Sequence, residues 1–539
     1  MLLRNERDRC HRLALALGLL LALAASAPAQ IKPSPAASSF GRAQEKQPAR
    51  QAASRADLAR FRARVSTALA QAGANKGYWG VLVVDAATGD VLFSLNPESY
   101  FTPASNTKLF TTALAMATLG PDYRFRTTIE TRGTVDRHGR LRGDLVLVGR
   151  GDPNLSNRKF PLEKKVEHDG PPEKILAELA DAVVAHGAKQ LEGDVVADDT
   201  YFTYERFPSG WAIDDMLWGY GAAVSALSVN DNTLFLELRP GEREGTPTWF
   251  GVEPWADYYK IQNEVTTGAA SSERKIEVSR EPGSRLIVLR GTVPLKSDPQ
   301  TLTLAVEEPA EHAAHLLRRL LEARGVRVHG EARARHLSPG ESRDASSASG
   351  RATTVLAEHT SVPLVEAVRV LDKISQNLHA ELLLRTAARE KTGATTTEAA
   401  LKFAQEFLKG IGIGEGDVVL FDGSGLSRRN LVAPEAVVKL LNYIAQQPWG
   451  QAFRSTLPVA GEDGTLSDRM KDTPAAGRIW AKTGSLGHVS SISGYATTVR
   501  GARIVFSMFG NNHNLHGKAA TDVLDAICTA LIEEIGPAP

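Results

Sequence analysis

The feature that most restricts the fold of this chain is a change of pattern that happens twice. Near the start, residues 58–72 carry apolar side chains at helical spacing, and Gly80-Val81-Leu82-Val83-Val84-Asp85 reads as a strand. Ala86-Ala87-Thr88-Gly89-Asp90 supplies turn chemistry, Val91-Leu92-Phe93-Ser94-Leu95 is the return strand, and 109–119 is a long apolar helix. Beyond Pro121 the pattern gives way to short β runs such as Leu145-Val146-Leu147-Val148, Leu234-Phe235-Leu236-Glu237-Leu238 and Leu286-Ile287-Val288-Leu289, interrupted by helices near 174–186 and 312–323. Helical spacing resumes from Leu364 through Arg389; strand patterns follow at 477–481, 491–498 and 503–509, and a last helix covers 518–534. No internal repeat of solenoid period is present. Helices and strands at both ends of a β-rich middle predict a multi-domain α/β protein. One α/β domain is split in sequence (55–123 and 352–539) around a large β-rich insert (124–351), with the Ser/Gly-rich stretch 338–351 marking the return.

Composition sets the class. A length of 539 residues accommodates roughly three domains. With 42% apolar and 23% charged residues the chain can bury a sizeable core. A net charge of +1, with basic residues spread along the chain, argues against a nucleic-acid partner. At the N-terminus Arg4, Arg7, Arg9 and Arg12 precede an apolar run, 13–25, and the small residues Ala27-Pro28-Ala29. This is the pattern of a secretory signal over 1–29, followed by a Pro/Ala/Ser/Gln-rich linker over 30–54. Export is therefore expected, to the periplasm or another part of the cell envelope; the apolar run is short for a membrane span, and an uncleaved anchor is the alternative. Of the two cysteines, Cys10 leaves with the signal, so Cys528 has no intrachain partner. It shares a helix face with Val523, Leu524, Ile527, Leu531 and Ile532 and is expected in the core.

Three short elements occur in order: Ser105-Asn106-Thr107-Lys108, Ser375-Gln376-Asn377 and Lys482-Thr483-Gly484. They match the SxxK, SxN and KTG triplet of penicillin-binding proteins and class A β-lactamases. Each is weak alone, since SxxK recurs at Ser156–Lys159 and Ser272–Lys275, SxN at Ser94–Asn96 and Ser228–Asn230, and KTG at Lys391–Gly393. Context separates them. Ser105 begins a helix, so Ser105 and Lys108 fall one turn apart on one face, near a positive helix end. Lys482 continues an extended run, Ile479-Trp480-Ala481, whereas Lys391 and Gly393 are ordinary helix-stop residues. Ser375-Gln376-Asn377 interrupts two helical stretches, and a turn there projects Ser and Asn into a cleft.

The chemistry needs these residue types. A serine hydroxyl becomes a competent nucleophile when a base takes its proton. Lys108 serves as that base only if its pKa falls from about 10.4 to roughly 7–8, a change of about 4 kcal/mol. Burial and the cation of Lys482 are the available causes. Lys482 is assigned the cation that receives a substrate's terminal carboxylate, with the Thr483 hydroxyl beside it. Ser375 relays a proton to the leaving amine, and the Asn377 amide holds a substrate carbonyl near Lys108. Backbone N–H groups of Ser105 and of Ser485, next to Gly484, are candidates for an oxyanion hole.

With these motifs the chain resembles the D-Ala-D-Ala carboxypeptidases of the class C low-molecular-mass penicillin-binding proteins, peptidase family S13. Longer runs carry the resemblance from about residue 55 to the last helix: Gly143-Asp144-Leu145 through Gly151-Asp152-Pro153-Asn154-Leu155, Gly219-Tyr220-Gly221-Ala222 through Asn230-Asp231-Asn232, and Asp422-Gly423-Ser424-Gly425-Leu426-Ser427-Arg428. The wide gap between Ser105 and Ser375 fits the large insert of that family; class A β-lactamases have a short one. The resemblance implies a serine β-lactamase/transpeptidase-like domain and carboxypeptidase activity, often with endopeptidase activity. It also implies peptidoglycan stem peptides as substrate and β-lactams as covalent inhibitors; no cofactor or metal is expected. It further implies that Asp215 resembles the acidic residue that meets the substrate's side-chain amine, with Asp214 adjacent, and that Arg428 resembles the basic residue near its carboxylate. Gln376 departs from the family, where Asp or Asn is usual.

Other features have plainer readings. Glu311, His312 and His315 lack His-Glu-x-x-His order and a third ligand, and read as an amphipathic helix face. Gly410, Gly412, Gly414 and Gly416 follow a helix and read as its stop. Gly423-Ser424-Gly425 lacks nucleophile-elbow spacing and shapes a loop. Tyr201, Phe202, Tyr204 and Phe207 are expected in the core of the insert. The competing functions are a β-lactamase or esterase on the same scaffold, distinguished by fast penicillin turnover, and a catalytically silent wall-binding protein.

Overall fold

The computed structural model describes residues 55–163, 166–168, 170–341 and 352–537. The expected signal, Cys10, the linker and most of the Ser/Gly-rich stretch lie outside them.

The two ends of the chain build one antiparallel sheet. Its strands run in the order Val91–Leu95, Tyr78–Asp85, Arg503–Asn511, Val489–Thr497 and Ile479–Leu486, so an N-terminal hairpin pairs directly with a C-terminal three-strand meander. Strand Tyr78–Asp85 is buried along nearly its whole length because both faces of the sheet are covered. On one face Phe61 and Val65 of helix Ala56–Leu69 and Val523, Leu524, Ile527 and Leu531 of helix Lys518–Glu534 close a core that includes the wholly buried Cys528. On the other lie helices Lys108–Leu119, Leu364–Ile374 and Pro434–Ala445, packed through Leu109, Ala113, Leu371, Val437 and Leu441. Helix Asn377–Thr392 runs through the middle, with every residue from Asn377 to Ala388 buried. Its periodicity is indistinct because it has no solvent face to mark.

The β-rich middle forms its own layers. A five-stranded mixed sheet has the order Ala332–Leu337, Val195–Thr203, Leu145–Val148, Arg126–Thr131 and Thr354–Thr360. Helices Lys174–Ala185 and Pro309–Glu322 supply its core with Leu176, Leu179, Leu316 and Leu317. Two three-stranded sheets, a four-stranded sheet of short strands and a two-stranded ribbon complete the region. Strand Thr354–Thr360, just past the division expected at 351/352, pairs antiparallel with Arg126–Thr131 of the insert. Strand pairing across such a sequence distance carries no local mark.

The aromatic run of the insert also differs from its expectation. Tyr201 and Phe202 leave the insert's main core and pack with Trp211, Val224 and Ala226 against Leu378, Leu382 and Leu426. These rings cement the insert to the central helix. Tyr204 turns its hydroxyl to Glu308, and Phe207 is partly buried at the edge of the same cluster.

Candidate active site

The nucleophile candidate sits where a loop enters a helix. Ala104–Thr107 is a single 3₁₀ turn that runs straight into helix Lys108–Leu119. Ala104 has a left-handed backbone, φ 49°, which tilts the turn so that Ser105 stays half-buried while Asn106, Thr107 and Lys108 are enclosed. The one-turn spacing delivers Lys108 Nζ to 2.8 Å from Ser105 Oγ. Lys108 Nζ also lies 2.6 Å from Asn377 Oδ1 and 2.6 Å from the carbonyl oxygen of Ser424. Those two oxygens only accept hydrogen bonds. A neutral amine satisfies both with its two N–H groups and turns its lone pair to the Ser105 hydroxyl.

Electrostatics favour that neutral form. Lys108 is fully buried, and burial, then the neighbouring Lys482 cation, hold it well below the usual lysine range against the opposing pull of Asp422, Glu381 and Asp372. Glu381 is itself pushed up to about 8 by burial and by Asp422, which lessens its pull on the amine at neutral pH.

Strand Ile479–Leu486 carries Lys482, Thr483, Gly484 and Ser485 along an edge of the main sheet. Asn106 Nδ2 donates to the Lys482 carbonyl at 3.2 Å and to Ser491 Oγ at 2.7 Å, and Ser491 Oγ donates to the Pro103 carbonyl at 2.8 Å. These bonds clamp the strand to the serine turn. Gly484 permits the approach: a Cβ there would stand 2.9 Å from Ser105 N and 2.8 Å from the Pro103 oxygen. Lys482 Nζ donates to Ser375 Oγ at 2.9 Å and to the Thr483 carbonyl at 2.8 Å. Burial lowers Lys482 to about 8, with Asp372 opposing. The Thr483 hydroxyl pairs with Thr465 Oγ1 at 2.7 Å, and Ser485 is exposed at the far end of the motif.

Ser375 and Asn377 come from the break between helices Leu364–Ile374 and Asn377–Thr392. Ser375 caps the first helix in a left-handed conformation, φ 62° and ψ 42°. The Gln376 side chain caps the second by accepting from Leu378 N at 3.0 Å. Asn377 Nδ2 donates to the Tyr220 carbonyl at 2.8 Å, which orients its Oδ1 toward Lys108.

The two residues assigned by resemblance lie at the rim. Half-buried Asp215 accepts from the Tyr220 hydroxyl at 3.1 Å, so Tyr220 links it to Asn377. Exposed Arg428 donates to the Gly487 carbonyl at 3.1 Å, over the turn that follows the Lys482 strand.

Sequence reasoning missed what positions Lys108 from below. Asp422 accepts from the backbone N–H of Gly425 and Ser427, from Ser424 Oγ, from Asn430 Nδ2 and from Trp211 Nε1, at 2.5–3.0 Å. This carboxylate winds the Gly423-Ser424-Gly425 loop so that the Ser424 carbonyl meets the amine. Gly425 has φ 86°, and a Cβ there would fall 1.8 Å from the Ala104 oxygen, so the loop lies directly under the serine turn. The Asp-Gly-Ser-Gly run is visible in the sequence, but a carbonyl acceptor is not. The other copies of the motifs lie elsewhere: Ser156 is buried against Asp231, and Gly393 is a left-handed helix stop. His312 and His315 surround Tyr258, and among the described residues no group of three or more His, Cys, Asp or Glu is arranged to hold a metal.

Comparisons with known proteins identify the family and the fold. A family model described as the D-Ala-D-Ala carboxypeptidase 3 (S13) family matches residues 61–531. The chain is 37% identical to a D-alanyl-D-alanine carboxypeptidase of Actinomadura sp. (strain R39), over 91% of this chain and 87% of the relative. It is 28% identical to the D-alanyl-D-alanine carboxypeptidase DacB of Haemophilus influenzae, over 82% and 86%. The crystal structure of penicillin binding protein 4 (dacB) from H. influenzae superposes with a TM-score of 0.73 at 25% identity, covering 87% of this chain and 98% of that one.

Proposed function

The chain belongs to the D-Ala-D-Ala carboxypeptidase 3 (S13) family, and from that premise we propose that Ser105 is the nucleophile that cleaves the terminal D-alanyl-D-alanine bond of peptidoglycan stem peptides. The observation that carries the assignment is the Lys108 amine, 2.8 Å from Ser105 Oγ with both its N–H groups engaged by acceptors.

In this reading the substrate peptide lies along the outer edge of strand Ile479–Leu486 beyond Ala481, past the point where Pro458 and Ala460 pair with Ala481 and Ile479. Its terminal carboxylate meets the Lys482 cation and the Thr483 hydroxyl. Lys108 takes the Ser105 proton as Oγ bonds to the carbonyl carbon of the penultimate D-alanine. The oxyanion is received by the N–H groups of Ser105 and Ser485. Collapse breaks the C–N bond as the proton held by Lys108 is passed on through Ser375, 2.9 Å from Lys482, to the departing amine. In deacylation Lys108 takes a proton from water as the water oxygen bonds to the ester carbon, then gives it to Ser105 Oγ as the ester C–O bond breaks and the shortened peptide leaves. The D,D bond of a cross-link is cut by the same steps. A β-lactam follows the first half of the path and stays attached; the H. influenzae relative has been solved complexed with a novel β-lactam. Asp215 and Arg428 meet the side chain of the third stem residue. The Arg-flanked apolar N-terminus supports export to the envelope, where this substrate is found.

Fluorescent penicillin followed by peptide mapping tests the assignment. The adduct is expected on Ser105, and Ser105→Ala is expected to remove both the adduct and D-alanine release. A label on another serine, or full D-alanine release by Ser105→Ala, would overturn it.

A further inference from the structure

Ser375 holds a left-handed backbone that a serine does not adopt without support. The outer side of its loop is not packed: Ser375, Gln376 and Asn377 face a cavity of about 430 Å³ that they share with Trp218, Tyr220 and Asp231. Van der Waals contact therefore does not fix the loop on that side. A hydrogen bond from the insert does. Gln376 Nε2 donates to Asp231 Oδ2 at 3.0 Å, while Oε1 of the same amide caps the helix of Asn377. Gln376 is thus held at both ends of its amide, and it lies between the two loop residues that touch Lys482 and Lys108.

Asp231 is built to hold still. It is 6% exposed; its Oδ1 accepts from Ser156 Oγ at 2.6 Å and bonds His379 Nε2 at 3.0 Å, and Oδ2 pairs with Arg158. Asn230, Asp231 and Asn232 are three consecutive left-handed residues, φ 51°, 53° and 55°. The flanking pair locks them: Asn230 Nδ2 donates to the Thr233 carbonyl and Asn232 Nδ2 to the Ala223 carbonyl, each at 2.9 Å. A strained turn with this many buried tethers presents one carboxylate oxygen to Gln376. It also fits the residue type at 376, because an amide both accepts from Leu378 N and donates to a carboxylate, which an ionised acid does not.

We propose that Asp231 of the insert is a positioning residue for the acyl-transfer site, which through Gln376 keeps Ser375 on Lys482 and Asn377 on Lys108. The proposal rests on the reading of Ser375 and Asn377 given above. The insert is in this way part of the site's geometry, although it contributes no group to the reacting atoms through Asp231.

Gln376→Glu tests it. This change keeps the acceptor for Leu378 N and sets a carboxylate against Asp231 in place of the donor. Acylation by fluorescent penicillin is expected to slow at least about tenfold through the rate constant of the chemical step, not through initial binding, with the melting temperature little changed. Gln376→Leu removes the donor without setting a like charge against Asp231 and is expected to slow the same chemical step with initial binding unchanged, a split that a purely structural role would not produce. Wild-type rates in both variants, or a loss that falls on initial binding, would overturn the proposal. Both outcomes are independent of which serine the wild-type protein labels, so they separate this inference from the Ser105 assignment.

Discussion

Two lysines in one small site carry opposite requirements; burial serves the first, and at the second Asp372 opposes it. Lys108 must be unprotonated to accept the Ser105 proton, and it is held low by burial and by Lys482. Lys482 must be protonated to receive a carboxylate, and at about 8 it remains mostly charged at neutral pH. The sign of the pH dependence follows. As pH rises through about 8 the Lys482 cation is lost, so kcat/KM for D-alanine release should fall there. The acid limb should appear only where Lys108 protonates, well below the usual lysine range. A guanidinium stays charged far above this range, so Lys482→Arg is expected to lower the rate but move the alkaline limb to beyond about pH 10. A pH profile of kcat/KM for the two proteins checks this; an alkaline limb that stays near 8 in Lys482→Arg would assign that limb to another group.

The elements meet at glycines, and that is where single-methyl changes should act. Strand Ile479–Leu486 touches the serine turn only because Gly484 has no side chain: a Cβ there would meet Ser491 Oγ at 2.3 Å and Ser105 N at 2.9 Å. Gly484→Ala is expected to push the strand from the nucleophile, slow acylation by about a hundredfold and destabilise by about 1–3 kcal/mol. Gly410, the last residue of helix Thr397–Gly410, has open space around it, and Gly410→Ala should leave acylation intact and add up to about 1 kcal/mol of stability. Labelling rates and melting curves of both variants compare a packed glycine with a free one. The same contrast explains what is legible in the sequence. Ser105 and Lys108 are readable because helix spacing alone brings them together, and the Lys482 strand because its run of residues is extended. The Ser424 carbonyl is not readable, since an acceptor on the backbone has no letter, and Asp422 acts through loop winding that no spacing rule describes. Gln376 reads as a departure from a family pattern; its role appears only once Asp231, 145 positions earlier, is brought beside it.

At the scale of the molecule, the division into catalytic and inserted parts is clearer in sequence than in energy. The pattern change after Pro121 is plain, but the strand Thr354–Thr360 that returns to the insert and the aromatic seam across the boundary are matters of tertiary pairing. That seam sets how the protein should unfold. Helix Asn377–Thr392 gives Leu378 and Leu382 to Tyr201, Phe202 and Trp211 of the insert, and Ala380 and Leu383 to the core beside the main sheet. The helix that begins with Asn377 therefore belongs to both cores, and neither can melt without releasing it. Phe202 is 3% exposed, so Phe202→Ala should remove about 3–5 kcal/mol. The loss should appear in a single transition: intrinsic tryptophan fluorescence and penicillin labelling, followed over the same urea series, are expected to shift together to lower midpoint. Separate midpoints, with labelling surviving after a first part of the fluorescence change, would mean that the catalytic half keeps Asn377 in place alone and that the seam is a contact between independent domains.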